Sequence, residues 1–173
     1  RNDESWARQA FGDSTRIIDP LDAPPRYVPQ GDSGMCMAQA PMIHINDEIG
    51  GASSHPMSTL KRGVDAGVID LRGHTGGTET HPYIQGMHIE DSRRITETYG
   101  WETDQIDGNP NWLTPAELDY LIREENWRIT MIVNAGGSVD GSHAIALKGF
   151  QRDQNNCITK AVYGDPATGR NYT

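Results

Sequence analysis

Apolar positions recur along the chain at two different periods, which predict a helical first part and a strand-rich second part. Ala38, Met42, Ile45 and Ile49 step by four, three and four. That spacing marks one face of a helix over 35–49, stopped by Gly50-Gly51. Pro41 falls inside it, where a missing N–H and ring crowding call for a local adjustment. Weaker patterns give short helices over 5–11 and 58–66 and a brief turn or strand over 67–71. A polar helix over 90–99 carries Ile95 and Tyr99 on one face and stops at Gly100, and 101–106 reads as a strand. Thr114-Pro115-Ala116-Glu117 is a capping box with proline at the first helical position. Leu118, Leu121 and Ile122 continue it as an amphipathic helix to about residue 126. The pattern then turns to strands over 127–133, 143–150 and 157–163. They are separated by a Gly/Ser loop at 135–142 and by the turn Gln154-Asn155-Asn156. Short turns between strands predict an antiparallel sheet, and the fold class is α+β. Residues 1–29, broken by Pro20, Pro24, Pro25 and Pro29, read as an irregular N-terminal arm on one domain over 30–173.

Composition narrows the partners. The 173 residues suffice for one domain with a substantial core. Hydrophobic content of 35% and mean hydropathy of −0.64, with 19 glycines and 10 prolines, fit a loop-rich chain. Twenty-four acidic against 15 basic residues leave a net charge of −9 and no basic stripe, which argues against a nucleic-acid partner. No apolar run approaches the length of a membrane span, and no signal-peptide pattern is present. A chain beginning at Arg1 reads as a processed or excised fragment. A monomer without cofactor is expected.

Candidate chemistry centres on Gln30-Gly31-Asp32-Ser33-Gly34-Met35-Cys36-Met37-Ala38. Cys36 falls in the first turn of the 35–49 helix, where unpaired N–H groups and the positive dipole end favour a thiolate. The glycines before it let backbone approach a substrate carbonyl. Gln30 offers a side-chain amide beside the Cys36 N–H to a developing oxyanion. The plain alternative is a buried cysteine acting as a small hydrophobe. Farther on, His143 opens a strand and Asp165-Pro166 ends one. Each has its own structural explanation, a satisfied core histidine and a turn. Cys157 reads as packing in a strand interior. His74, His81 and His88 recur every seven residues without a metal-ligand pattern, so no metal is expected. Gln39 and Asp140 are polar neighbours of the candidate residues whose exposure explains them. Trp101, Trp112 and Trp127 read as core or groove wall.

The stretch around Cys36 resembles the Gln-Gly-x-Cys-Gly-Ser-Cys-Trp-Ala segment of papain-like cysteine peptidases. Gln30, Gly31, Gly34, Cys36 and Ala38 fall on matching positions, while Ser33, Met35 and Met37 depart. Gly141-Ser142-His143-Ala144-Ile145-Ala146 is similar to the histidine strand of that superfamily. Tyr163-Gly164-Asp165-Pro166 resembles the segment that orients the histidine in bacterial double-glycine leader peptidases. Staphopains also vary at the departing positions. The resemblance covers about 28–50 and 115–170 and implies a papain-like fold, with a helical subdomain led by the Cys36 helix against an antiparallel sheet. It implies Cys36 as nucleophile, His143 as base, Asp165 as orienting group, Gln30 at the oxyanion, and Gly34, Gly141 and Ser142 along the substrate. A protein or peptide substrate follows, as does a bacterial enzyme, secreted or delivered into a host or target cell. Ser33 in place of the cysteine of animal and plant members implies a disulfide-free version. The same triad serves glutamine deamidases, transglutaminase-like enzymes and peptidoglycan amidases, and an inactive papain-like binding module is the reading from another class.

Overall fold

The computed structural model describes residues 3–20, 22–30, 34–50, 55–69, 87–106, 113–134 and 142–173. These residues form a mixed α+β fold of five helices and a four-stranded antiparallel sheet. In chain order the helices are α1 (Asp3–Phe11), α2 (Cys36–Ile49), α3 (Pro56–Asp65), α4 (Ile89–Glu97) and α5 (Pro115–Arg123). The strands β1 (Ile129–Asn134), β2 (Ser142–Arg152), β3 (Ile158–Asp165) and β4 (Arg170–Tyr172) follow and pair in sequence order.

α2 is the spine. Ala38, Met42 and Ile45 bury against Leu60 of α3 and Ile95 of α4, with Met35, Ile69 and Met87 filling the same core. On its other side Ile43 packs on Ala146 of β2 and Tyr27 of the arm. A helix covered from both sides carries apolar residues most of the way round. That is why Gln39, Ala40 and His44 are buried as well as the expected stripe. Ile49 departs from expectation: it lies at the last turn, beyond both packing partners, and is 59% exposed. Pro41 cannot donate to the Met37 carbonyl four residues back, and Ser92 Oγ of α4 donates to that carbonyl instead. The expected adjustment is therefore made by a side chain, and α2 runs through without a break. Gly164 of β3 allows α2 to approach the sheet, since a Cβ there would stand 3.0 Å from Ile43 Cγ2.

The α5 capping box forms as read, with the Thr114 side chain accepting from the Glu117 amide and the Glu117 carboxylate accepting from the Thr114 amide. Asp119, buried on α5, binds Arg123 and Arg152 and so ties that helix to β2.

Several expectations need correction. Residues 101–106 are not a strand. Arg93 of α4 donates to the Thr103 carbonyl and hydroxyl, taking groups a strand neighbour would need, and Trp101 packs onto the helical core. Cys157 is exposed and precedes β3, because the β2–β3 turn runs to it. The Asp153 carboxylate accepts from the Asn155 and Cys157 amides, and Asn156 takes a positive φ of 62°. Trp127 is 40% exposed and Gln39 only 3%, so exposure does not explain Gln39. His74, His81, Trp112, Asp140, Gly141 and most of the 135–142 loop lie outside the described residues.

The arm is more ordered than its prolines imply. α1 covers the sheet face that holds Ile145 and Tyr163, burying Ala7 beside Tyr172 and setting Trp6 and Phe11 around them. Residues 16–18 then run antiparallel to β4, with reciprocal bonds between Arg16 and Thr173 and a bridge between Ile17 and Tyr172.

Candidate functional site

Cys36 is the first residue of α2, and that helix start has no side-chain cap. Backbone N–H groups of Ala144 on β2 and of Met37 nonetheless act on its sulfur. Alternation along β2 puts His143, Ile145 and Leu147 on one face and Ala144 and Ala146 on the other. Leu147 pairs with Tyr163, so Asp165 shares the His143 face and lies diagonally from it. His143 Nε2–H donates to Asp165 Oδ1 at 2.7 Å, which leaves Nδ1 for the Cys36 thiol with which the ring also bonds. His143 is 6% exposed and Asp165 is fully buried.

Both ends of the thiol–imidazole bond shift in the sense of an ion pair. Burial alone pushes the Cys36 thiol up, but the bonds from His143 and the Ala144 and Met37 amides outweigh it and hold the thiol below its ordinary range. For His143 burial pulls down, while the bonds to Asp165 and Cys36 lift it further, to about 9. Both shifts favour a thiolate beside an imidazolium over a neutral thiol beside a neutral imidazole.

The turn between β3 and β4 organises what surrounds this pair. Asp165 Oδ1 accepts from the Ala167 amide at 2.8 Å as well as from His143, so the carboxylate is fixed by its own turn. The Pro166 carbonyl accepts the Gln30 amide at 2.8 Å, and the Gly169 carbonyl accepts the Tyr27 amide at 2.9 Å. Gly169 has φ +72°, and a Cβ on it would stand 2.2 Å from the Tyr27 carbonyl oxygen. Tyr27 is fixed from behind by Asp47 of α2, which accepts its hydroxyl at 2.7 Å and pairs with Lys148 at 2.8 Å. The last stretch of the arm is thus laid along this turn and ends at Gln30.

Of the residues singled out in the sequence, Cys36, His143 and Asp165 form one hydrogen-bonded chain, and Gln30 joins it through the backbone of Pro166. Gly34 sits half-buried in the bend before α2, and Ser142 is exposed where β2 starts. Sequence reasoning missed three contributors. Trp6 and Phe11 set their rings 6.0 and 6.3 Å from the His143 ring, a contact that no local pattern announces. Ser92 supports the first turn of α2, and only the presence of Pro41 hints that some donor is required there. Among the described residues no cluster of three or more His, Cys, Asp or Glu is placed to hold a metal. Among them, too, no helix is long and apolar enough to cross a membrane. Comparison of the chain with family models, with curated proteins and with solved structures finds no match in any of the three.

Proposed function

We propose that this chain is a cysteine peptidase of papain-like fold that hydrolyses peptide bonds in an extended protein segment lying across the Cys36 thiol. The observation that carries the reading is His143 bonded on one side to Cys36 and on the other to Asp165, with the thiol lowered and the imidazole raised. Buried histidines that merely satisfy a core have no reason to hold a thiolate. Gly34, in the bend two residues before the thiol, and Ser142, exposed beside His143, are the residues assigned to the substrate segment.

In this mechanism the Cys36 thiolate attacks the carbonyl carbon. A C–S bond forms and the carbonyl π pair moves onto oxygen, facing the Gln30 side-chain amide and the Cys36 N–H. As the tetrahedral intermediate collapses, the C–N bond breaks and the His143 imidazolium gives its proton to the departing amine. Neutral His143 then takes a proton from water, whose oxygen attacks the thioester. The C–S bond breaks, the acid leaves, and thiolate and imidazolium are restored. Asp165 keeps the ring in one tautomer throughout.

Incubation with a broad peptide library, read by mass spectrometry, tests the assignment. Peptidase activity gives new termini. A one-dalton gain on intact glutamine peptides identifies a deamidase, and ammonia loss with amine incorporation a transglutaminase. Release of muropeptides from purified cell wall without peptide cleavage identifies an amidase. A library unchanged in every channel, with Cys36 unreactive, leaves the inactive binding module.

A further inference from the structure

We infer that the N-terminal helix α1 is part of the catalytic apparatus and that Trp6 is a positioning residue for His143, acting with Phe11. The inference rests on the thiol-hydrolase reading of the Cys36–His143–Asp165 chain. Its basis is geometric. The Trp6 ring meets the His143 ring edge to face at 6.0 Å and 76°, and Phe11 lies 6.3 Å away, tilted by 33°. The two aromatic rings brace each other at 5.9 Å, and Phe11 leans edge-on against Tyr163, which stacks on Tyr172. His143 thus faces a continuous aromatic wall running from α1 across β3 to β4.

That wall is held in place rather than laid loosely on the sheet. Asp3 pairs with Arg170 at 2.7 Å, and the Glu4 carboxylate accepts the Ile17 amide at 3.2 Å and pairs with Arg8. Ala7 and Ala10 are buried, so the helix backbone comes close to the sheet. With its acids engaged elsewhere, α1 turns rings rather than charge toward His143. Among the described residues, the titratable groups that act most on the imidazole are Asp165 from the end of β3 and Cys36 from α2.

Two physical consequences follow. The rings leave the imidazole little room to turn about its χ2 torsion, so Nε2 stays on Asp165 and Nδ1 stays on the thiol. They also keep water from competing for the histidine–carboxylate bond, which is stronger in a dry setting. Without them the imidazolium shares its charge with water, holds the thiolate less firmly, and spends time in unproductive orientations. Substrate contacts are untouched, so the loss falls on turnover rather than binding.

The test uses the whole chain with Cys157→Ser as background, comparing Trp6→Ala, Trp6→Phe and Phe11→Leu. The pH dependence of Cys36 alkylation by iodoacetamide reports thiolate directly and needs no substrate; kcat and KM are measured on a peptide the parent cleaves. Trp6→Ala is expected to move the alkylation midpoint upward and to lower kcat about 10- to 100-fold with KM within about twofold, as for a misaligned catalytic group. Trp6→Phe should recover most of both. Phe11→Leu, which keeps apolar bulk but removes the ring, should show a smaller shift in the same direction, and it stands in if Trp6→Ala does not fold. An alkylation midpoint unmoved in Trp6→Ala and Phe11→Leu overturns the inference while leaving the triad standing. Equal damage from Trp6→Phe and Trp6→Ala in a folded protein also overturns it. A parent protein whose Cys36 reacts only in the ordinary thiol range overturns the thiolate reading, and this inference with it.

Discussion

Gln30 donates its backbone N–H to the Pro166 carbonyl at 2.8 Å, one residue from the aspartate that holds His143. The candidate oxyanion donor and the orienting carboxylate are therefore carried by one turn, and that turn depends on the close approach of Tyr27 to Gly169. Gly169→Ala forces a Cβ into the Tyr27 carbonyl at a backbone angle that alanine rarely adopts. It should cost about 1–3 kcal/mol in urea unfolding and reduce kcat beyond what that stability loss explains. Wild-type kcat in the folded variant contradicts the coupling.

Substitutions at the site itself should give a graded series. Cys36→Ala abolishes turnover, while Cys157→Ser, in an exposed turn, leaves it unchanged. His143→Ala falls close to Cys36→Ala, because no group remains to form the ion pair. Gln30→Ala keeps residual turnover, down about 10²- to 10³-fold, the usual worth of one oxyanion donor. Asp165→Asn lies between them: its carboxamide oxygen can still accept from His143 and the Ala167 amide, but the charge that favours the imidazolium is gone, so the loss reads in kcat rather than KM. Steady-state kinetics on a cleaved peptide check the order, with circular dichroism confirming the fold of each variant.

The pH–rate profile should be a bell with an unusual width. The active form needs Cys36 as thiolate and His143 as imidazolium. Falling pH removes activity as it passes the depressed thiol pKa, and rising pH removes it near 9, where His143 loses its proton. An alkaline limb near the ordinary imidazole value places His143 outside the pair.

Support for the nucleophile helix comes from α4. Ser92→Ala deprives the Met37 carbonyl of the donor that replaces the N–H missing at Pro41. Unfolding in urea should show a loss of about 1–3 kcal/mol, the cost of an unsatisfied buried acceptor. A Pro41→Ala change made on top should recover part of it, because an alanine N–H can take over that carbonyl.

What was legible in the sequence was local. The Thr114–Glu117 capping box announces α5 within four residues, and the glycines before Cys36 with apolar spacing after it announce the start of α2. The pairing of His143 with Asp165 is legible only through the resemblance, since residue pattern alone gives two positions and their contact depends on the β2–β3 register. What could not be read was set by distant partners. Residues 101–106 have strand-like composition, yet Arg93 takes the Thr103 carbonyl. Ile49 continues the apolar stripe, yet at the last turn of α2 it is largely exposed. Arm residues bordered by prolines pair with β4 from the far end of the chain, and nothing near Ile17 names Tyr172 as its partner. Cys157 looks like a strand residue by its neighbours, yet Asp153 holds the hairpin turn open as far as that residue.

If the proposed function holds, Cys36 and His143 exist as a thiolate–imidazolium pair at neutral pH. The most direct measurement is the ultraviolet thiolate absorbance of the chain, followed against pH as the difference from Cys36→Ala. A thiolate signal should already be developed below the ordinary thiol range, with a second, smaller change near 9 as His143 deprotonates, and the low-pH signal should be lost in His143→Ala. A signal that emerges only in the ordinary thiol range, and is the same in His143→Ala, contradicts it.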